Sequence, residues 1–473
     1  QVYGYNEVMG DEIGVEAANQ YVNQIGAPDV VILDDGTKVA NPNSPNQQVQ
    51  LIRDINQNAN AGNNPLYWEW TYMYSLNGAM NKVIELANQT KFSGDAATKK
   101  NTLLAWAYWW KGFAYARIGS IYYAGIINNS TNGTNGDYVI HDKIIDESNA
   151  NLDKATTALT AATSLDDYSS VMGRLIPSFN QVGKGRVPTV AMFKRQINTL
   201  KARNILVNTR TSAMTPAQWG QILVLANDGI QEADNVFTGR SNENADLLSA
   251  TAGTVAAKAT GDPGKGITYK ISERLIQDFK AGDKRLANNF TQLANPWIGN
   301  SDRGNSFNTR WSLVDGGKGL PGVTVISNRS AGATELYIAG SYEENELIKA
   351  EAKLNTGDIA GGLKSIDVVR TYQGAGLAAL SGLGLADAKE ELRRERRVGL
   401  ALRGLSFYDA RRMGIVDDVA KGGGRKEAVV LDRVGKVNTN ATINYNFLDY
   451  WDVPDNELKY NPATSGAVIK NPR

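Results

Sequence analysis

Residues 341–370, SYEENELIKAEAKLNTGDIAGGLKSIDVVR, constrain the fold more tightly than any other stretch of the chain. Leu347, Ala350 and Leu354 recur at helical spacing and draw one apolar stripe. Gly357 tolerates the left-handed backbone that ends a helix, and Asp358 is placed to cap the next one. Ile359, Leu363, Ile366 and Val369 repeat the stripe, while Ala350, Ala352, Gly361 and Gly362 let two helices approach closely. The stretch predicts a packed helical hairpin.

The same pattern recurs upstream. Tyr72, Leu76, Met80, Val83 and Ile84 form a stripe behind Tyr67, Trp68 and Trp70, which sit at a loop-to-helix junction. A second long helix spans about Ala97 to Tyr123, with Trp106, Trp110, Phe113 and Arg117 on one face; aromatics at this spacing mark core. Further stripes follow at Ile145/Leu152/Ala155/Leu159 and Val190/Phe193/Ile197/Leu200. Thr215-Pro216-Ala217-Gln218 is a capping box with proline at the first helical position, ahead of Trp219, Ile222, Ala226 and Ile230. Successive helices joined by short connections predict an all-α scaffold of stacked hairpins over approximately 65–237 and 335–412. Residues 1–64, rich in Asn, Gln, Gly and Asp, read as mostly loop, approximately 238–334 as a loop-rich insertion, and 413–473 as an extended C-terminal segment. All 473 residues are taken as one domain.

Composition removes several function classes. Lys+Arg 50 against Asp+Glu 49 leaves no basic field for nucleic acid. With Cys 0 and His 1, thiol nucleophiles, disulfides and zinc fingers are impossible, and any histidine triad or His-ligated metal would need His141. His141 lies in the polar stretch DYVIHDK and reads as a surface residue. Asn128–Asp137, NNSTNGTNGD, lacks the carboxylates and terminal Glu of a calcium loop. Gly316-Gly317-Lys318-Gly319 and Gly422-Gly423-Gly424-Arg425 lack the P-loop spacing. The run Lys389–Arg397 mixes signs, with Glu390 and Arg394 at i,i+4, and reads as an ion-paired structural helix rather than a phosphate patch. No apolar run reaches the roughly 18 residues of a membrane span.

Three motifs in order carry a resemblance. Ala350-Glu351-Ala352 followed by Gly357-Asp358, then Glu395-Arg396-Arg397 with Gly404, Phe407-Tyr408-Asp409 and Arg411-Arg412, and finally Tyr450–Leu458 with Asn461-Pro462, are similar to the closing signatures of the SusD/RagB family. Leu152-Asp153-Lys154-Ala155 and Asp283-Lys284-Arg285-Leu286 fit weaker patterns in the same order, so the resemblance spans about Asn64 to Pro462. The chain departs from the family at Gly399 and Arg403, where glutamate is usual, and at Ser406, where arginine is usual. The resemblance implies tetratricopeptide-like hairpins packed as a superhelix and a non-enzymatic, surface-exposed lipoprotein of the outer membrane. It further implies a glycan ligand, or sometimes a peptide, and a SusC-like TonB-dependent transporter as partner. The lipid-anchor cysteine of the family is absent from this sequence, and its loss by trimming ahead of Gln1 is the expectation.

The residues suit a sugar binder independently. Neutral sugars offer apolar C–H faces and hydroxyls, which exposed aromatics and Asn, Asp, Gln or Arg side chains hold. Candidate contacts are therefore aromatics in polar surroundings: Tyr67, Trp68 and Trp70 beside Asn63 and Asn64, Trp297 between Asn295 and Asn300, and Trp311 next to Arg310, with Asp302 and Arg303 as polar partners. The plainer alternative for each tryptophan is packing of its loop onto the helices. No catalytic, metal-ligating or cofactor-holding residues are assigned. A helical-repeat adaptor for a protein partner would show an apolar groove along the helices. A glycoside hydrolase would need two facing carboxylates, and no spacing singles out a pair.

Overall fold

The computed structural model describes residues 4–15, 21–22, 24–40, 47–240, 259–261, 269–299, 307–330 and 332–473. The N-terminal part contains α1 (Gly4–Met9), β1 (Ile13–Val15), β2 (Val30–Ile32), β3 (Lys38–Ala40) and α2 (Gln48–Ile55). Then come α3 (Pro65–Gln89), α4 (Ala96–Ile121), β4 (Ala124–Ile126), β5 (Tyr138–Ile140), α5 (His141–Ala161), α6 (Leu165–Leu175), α7 (Val190–Asn208) and α8 (Pro216–Asn227). The middle region holds β6 (Thr238–Arg240), β7 (Tyr269–Ile271), α9 (Glu273–Gln277), α10 (Lys284–Asn289), β8 (Phe290–Trp297), β9 (Thr309–Leu313) and β10 (Glu335–Tyr337). The chain closes with α11 (Tyr342–Asn355), α12 (Ile359–Tyr372), α13 (Leu385–Gly399), α14 (Ser406–Arg412), β11 (Arg425–Leu431), β12 (Val437–Asn444) and α15 (Asp455–Tyr460).

Helices dominate and pack in series. α3 lies on α4, α4 on α5, α5 on α7, α7 on α8, α8 on α11, and α11 on both α12 and α13. The hairpin read first in the sequence is formed by α11 and α12. Ser341 caps α11 by accepting from the Glu344 amide, and Asp358 caps α12 by accepting from Gly361. Gly357 between them has φ +92, and a Cβ on Gly362 would come within 2.6 Å of the Leu354 side chain. Both glycines are there for geometric reasons. The aromatic helix α4 is core as its pattern demands, with Trp109 fully buried and Trp106 edge-on to Phe237 at 5.2 Å.

Three sequence expectations give way. Residues 4–15, read as loop, are buried throughout. Polar groups hide that burial in the sequence, because they are satisfied by segments far along the chain. Asn6 donates to the Gly404 carbonyl at 2.6 Å, the Gly404 amide donates to Glu7 at 2.5 Å, and the Leu402 amide donates to Glu12 at 2.8 Å. The α3 stripe is also rotated from its expected register. Tyr72 is 50% exposed, and the buried face instead runs through Leu66, Trp70, Asn77 and Asn81. Two asparagines on a core face defeat a hydrophobicity count, yet here each donates to the Asn128 carbonyl. Finally, His141 stacks on Tyr450 with ring centroids 4.0 Å apart, its side chain only 12% exposed. Pairing of β4 with β5 delivers it to the start of α5 beneath that ring.

Short antiparallel sheets tie distant segments together. β11, β12, β2 and β3 form a four-stranded sheet in which Thr442 pairs with Ile32 and Ile443 with Val31. β1 pairs with β7, β6 with β10, and β8 with β9.

Buried ion pairs fasten α13 and α14 to the hairpin. Glu395 receives Arg285 at 2.5 Å and Arg370 at 2.9 Å, and Arg412 grips Glu351 at 2.5 and 2.8 Å. Arg396 and Arg412 share Asp409, each at 2.8 Å. The mixed charge run is structural, as its pattern implies.

Two outcomes are expected. Glu395→Gln removes one of two carboxylates from each of two buried guanidinium groups, leaving Asp283 on Arg285 and Glu391 on Arg370, and should cost about 1.5–3 kcal/mol in urea unfolding. Burial pushes Glu7 up to about 7 and Glu12 up to about 8. Carboxyls with raised folded pKa values stabilise fully below their unfolded pKa and lose that contribution as pH rises through the folded values. Stability should therefore fall from about pH 4.5 to about 8, and Glu7→Gln with Glu12→Gln should flatten that slope in melting curves taken across the range.

Candidate binding clefts

The start of α3 is built by capping. Asn64 is fully buried and accepts from the Leu66 amide at 3.0 Å, with Pro65 at the first helical position. The Asn64 amide donates to Asn56 and Asn456, each at 3.0 Å. Six residues on, Trp70 is 1% exposed; its indole donates to Glu457 at 3.1 Å and its backbone amide to the Tyr122 hydroxyl at 3.0 Å. Tyr122 packs edge-on against Trp70 at 5.1 Å and against Trp451 at 6.1 Å. Asn64 and Trp70 therefore clamp the C-terminal Tyr450–Leu458 motif to α3. Both side chains are engaged in these structural contacts, whereas their position beside a polar loop had suggested ligand contacts.

Tyr67 has a different setting. It is half-buried and lines a cleft of about 300 Å³ together with Thr71, Tyr74, Asn77, Asn128 and Glu457. Trp70 contributes to the wall, and Thr134 of the polar 128–137 loop stands at the rim. That loop is held by side chains from three helical positions. Asn77 and Asn81 donate to the Asn128 carbonyl, Asn81 also donates to the Ser130 carbonyl at 3.1 Å, and Lys111 donates to Asn129 at 2.5 Å. Burial pushes the Lys111 ammonium down to about 8. Tyr74 accepts from the Ile126 amide at 2.6 Å and donates to the Ile126 carbonyl at 3.0 Å. The cleft thus presents a tyrosine ring among amide, hydroxyl and carboxylate groups on a rigid wall, which can hold a polyhydroxylated ligand by stacking and hydrogen bonding. Residues 67, 71, 74 and 78 are spaced by four, three and four and so share one helix face. Sequence reading picks out Tyr67 on that face and misses Thr71 and Tyr74, as it misses Asn128, Thr134 and Glu457.

The remaining candidates lie elsewhere. Trp68 is half-buried and packs on the main core, one turn before the exposed Tyr72. Trp297 and Trp311 share the β8–β9 hairpin, and none of its residues lines the Tyr67 cleft. Lys270 sits 4.6 Å from the centre of the Trp297 ring, and a Cβ on Gly299 would come within 2.4 Å of the same indole. Trp311 is half-buried against the core, and its neighbour Arg310 is bound to Glu273 at 2.7 Å. Asp302 and Arg303 fall outside the described residues. Among the described residues, no group of His, Asp and Glu could hold a metal ion, and no helix is long and apolar enough to cross a membrane.

Trp70→Phe keeps an aromatic ring, though a smaller one, and removes the bond to Glu457. It should lower stability by about 1–3 kcal/mol in denaturant unfolding, whereas Tyr67→Ala should change stability far less.

Comparison with known proteins adds a family match over the C-terminal part of the chain and a fold. The profile of the SusD family matches residues 342–472. No curated protein matches the chain. Among solved structures, a SusD superfamily protein from Parabacteroides distasonis is 13% identical, with 100% of this chain and 93% of that chain covered and a TM-score of 0.62. A SusD-like carbohydrate-binding protein from Bacteroides fragilis is 14% identical over 98% of this chain and 97% of its own, with a TM-score of 0.59. Surface glycan-binding protein A from Bacteroides uniformis is 16% identical over 98% and 92%, with a TM-score of 0.55. Identities this low speak to the fold alone.

Proposed function

We propose that this chain, whose residues 342–472 match the SusD family profile, is a SusD/RagB-type protein that binds a glycan at the bacterial surface and passes it to a SusC-like TonB-dependent transporter. It does so without chemistry of its own. A lipid anchor outside this sequence would hold it at the outer membrane.

The observation that carries this reading is the Tyr67 cleft. Its ring offers a flat apolar face to sugar C–H groups, and Thr71, Asn77, Asn128 and Glu457 supply donors and acceptors around it. The printed names of two structural relatives, a carbohydrate-binding protein and a surface glycan-binding protein, support the same ligand class. Trp68, Trp297 and Trp311 are proposed as further contacts for a longer chain. Polysaccharide ligands reach along a surface, so several weak platforms on one protein raise avidity.

Isothermal titration against a panel of soluble polysaccharides tests the ligand class. We expect binding to at least one glycan, weakened about fivefold by Tyr67→Ala if that ring contributes about 1 kcal/mol of stacking. Silence across the panel with binding of peptides instead would move the protein to the peptide-handling branch. Release of reducing ends during incubation would contradict a binder. Co-purification with a SusC-like transporter from outer membranes tests delivery.

A further inference from the structure

The Tyr67 cleft is electrically one-sided. Among the described residues that line it, Glu457 is the sole charged side chain. Two donors reach that carboxylate, the Trp70 indole on one oxygen and the Asn461 amide on the other, each at 3.1 Å. Both donors are neutral, and among the described residues no ion pair includes Glu457. Lys111, which steadies the 128–137 loop, directs its ammonium to Asn81 and Asn129 instead. The uncompensated charge is felt next door. Burial first, and the Glu457 carboxylate second, push the Tyr138 hydroxyl above its ordinary value.

A carboxylate offers about four acceptor positions, so Glu457 keeps capacity beyond its two neutral donors. It is half-buried on the cleft wall, where a charge without a counter-charge is costly and a cation relieves that cost. Charge-assisted N–H donors are the strongest partners for a carboxylate. The Tyr67 ring adds to the same preference, because an aromatic face attracts an ammonium. Ser75 and Thr134, both exposed on the lining, offer hydroxyls to the rest of a sugar ring. A ligand carboxylate or sulfate entering the same space meets only like charge.

We propose that the Tyr67 cleft selects an amino sugar, a glycan unit whose free ammonium donates to Glu457, and turns away uronate and sulfated units. The cation half of the assignment comes from Glu457; the sugar half rests on the glycan reading above.

Titration of the whole chain with methyl glucosaminide, methyl N-acetylglucosaminide, methyl glucoside and methyl glucuronide, followed by NMR, tests it. The glucosaminide should bind at least about fivefold more tightly than the two neutral glycosides, and the glucuronide should bind weakest. Raising the ionic strength to about 0.5 M should shrink that preference, because salt screens a solvent-accessible charge pair. Glu457→Gln should bring the glucosaminide and the glucoside to nearly equal affinity. Because that change also touches the seam with Trp70, Ser75→Lys serves as a second variant. Ser75 is an exposed helix position on the cleft wall, so a lysine there supplies a competing cation with the melting transition unchanged. It should abolish the preference. No binding of the glucosaminide, equal affinity for it and the glucoside, or an undiminished preference in a folded Ser75→Lys protein would each overturn the proposal. Binding of neutral polysaccharide without any preference for the amine would sink this assignment and spare the glycan reading. A lysine tripeptide that matches the glucosaminide, with every polysaccharide silent, would overturn both.

Discussion

The structure depends first on Glu395. This buried carboxylate is held by Arg285 of α10 and Arg370 of α12, so one residue of α13 joins the middle region, the hairpin and the charged helix. A buried pair of this kind adds little net energy relative to apolar packing, because desolvation consumes most of the Coulomb gain. Its effect is on specificity. Any alternative docking of α13 would leave at least one of three charges unpaired in a low-dielectric interior, and that penalty selects one arrangement. Arg412, Glu351, Asp409 and Arg396 repeat the device one step along, where α14 meets α11 and α13.

The same principle governs the ends of the chain. The N-terminal segment enters the core through Asn6, Glu7 and Glu12, which bond to the 402–404 turn. The C-terminal motif returns to α3 through Asn456 and Glu457, which meet Asn64 and Trp70. Both seams are polar and buried, so partners matched atom by atom set the register where apolar side chains would slide. One consequence is functional. Glu457, which ties down the C-terminus, also forms part of the wall beside Tyr67. Scaffold and cleft share that residue, which keeps their geometry rigid.

The α11–α12 hairpin was readable because its signals are local: apolar spacing, a cap at Ser341, a left-handed Gly357 and a second cap at Asp358. The charge run of α13 was readable as structural from its alternating signs. The buried register of α3 was not, because Asn77 and Asn81 occupy core positions that hydropathy assigns to solvent. The burial of Asn64 and Trp70 was hidden for a related reason. Their polar flanks suggested a surface, whereas the partners that bury them lie almost 400 residues away.

Sequence alone determined that this chain would be a stack of helical hairpins closed by an ion-paired helix, and which family its closing motifs match. Those properties follow from periodicity, capping and motif order, all of which act over a few residues. Tertiary structure decided which polar groups are buried and which aromatics remain open. It pairs Trp70 with Glu457 and leaves Tyr67 on a cleft, although the two rings are three positions apart on one helix. The physical reason is that a side chain's exposure depends on what packs over it. For this protein the covering segments come from the opposite end of the chain.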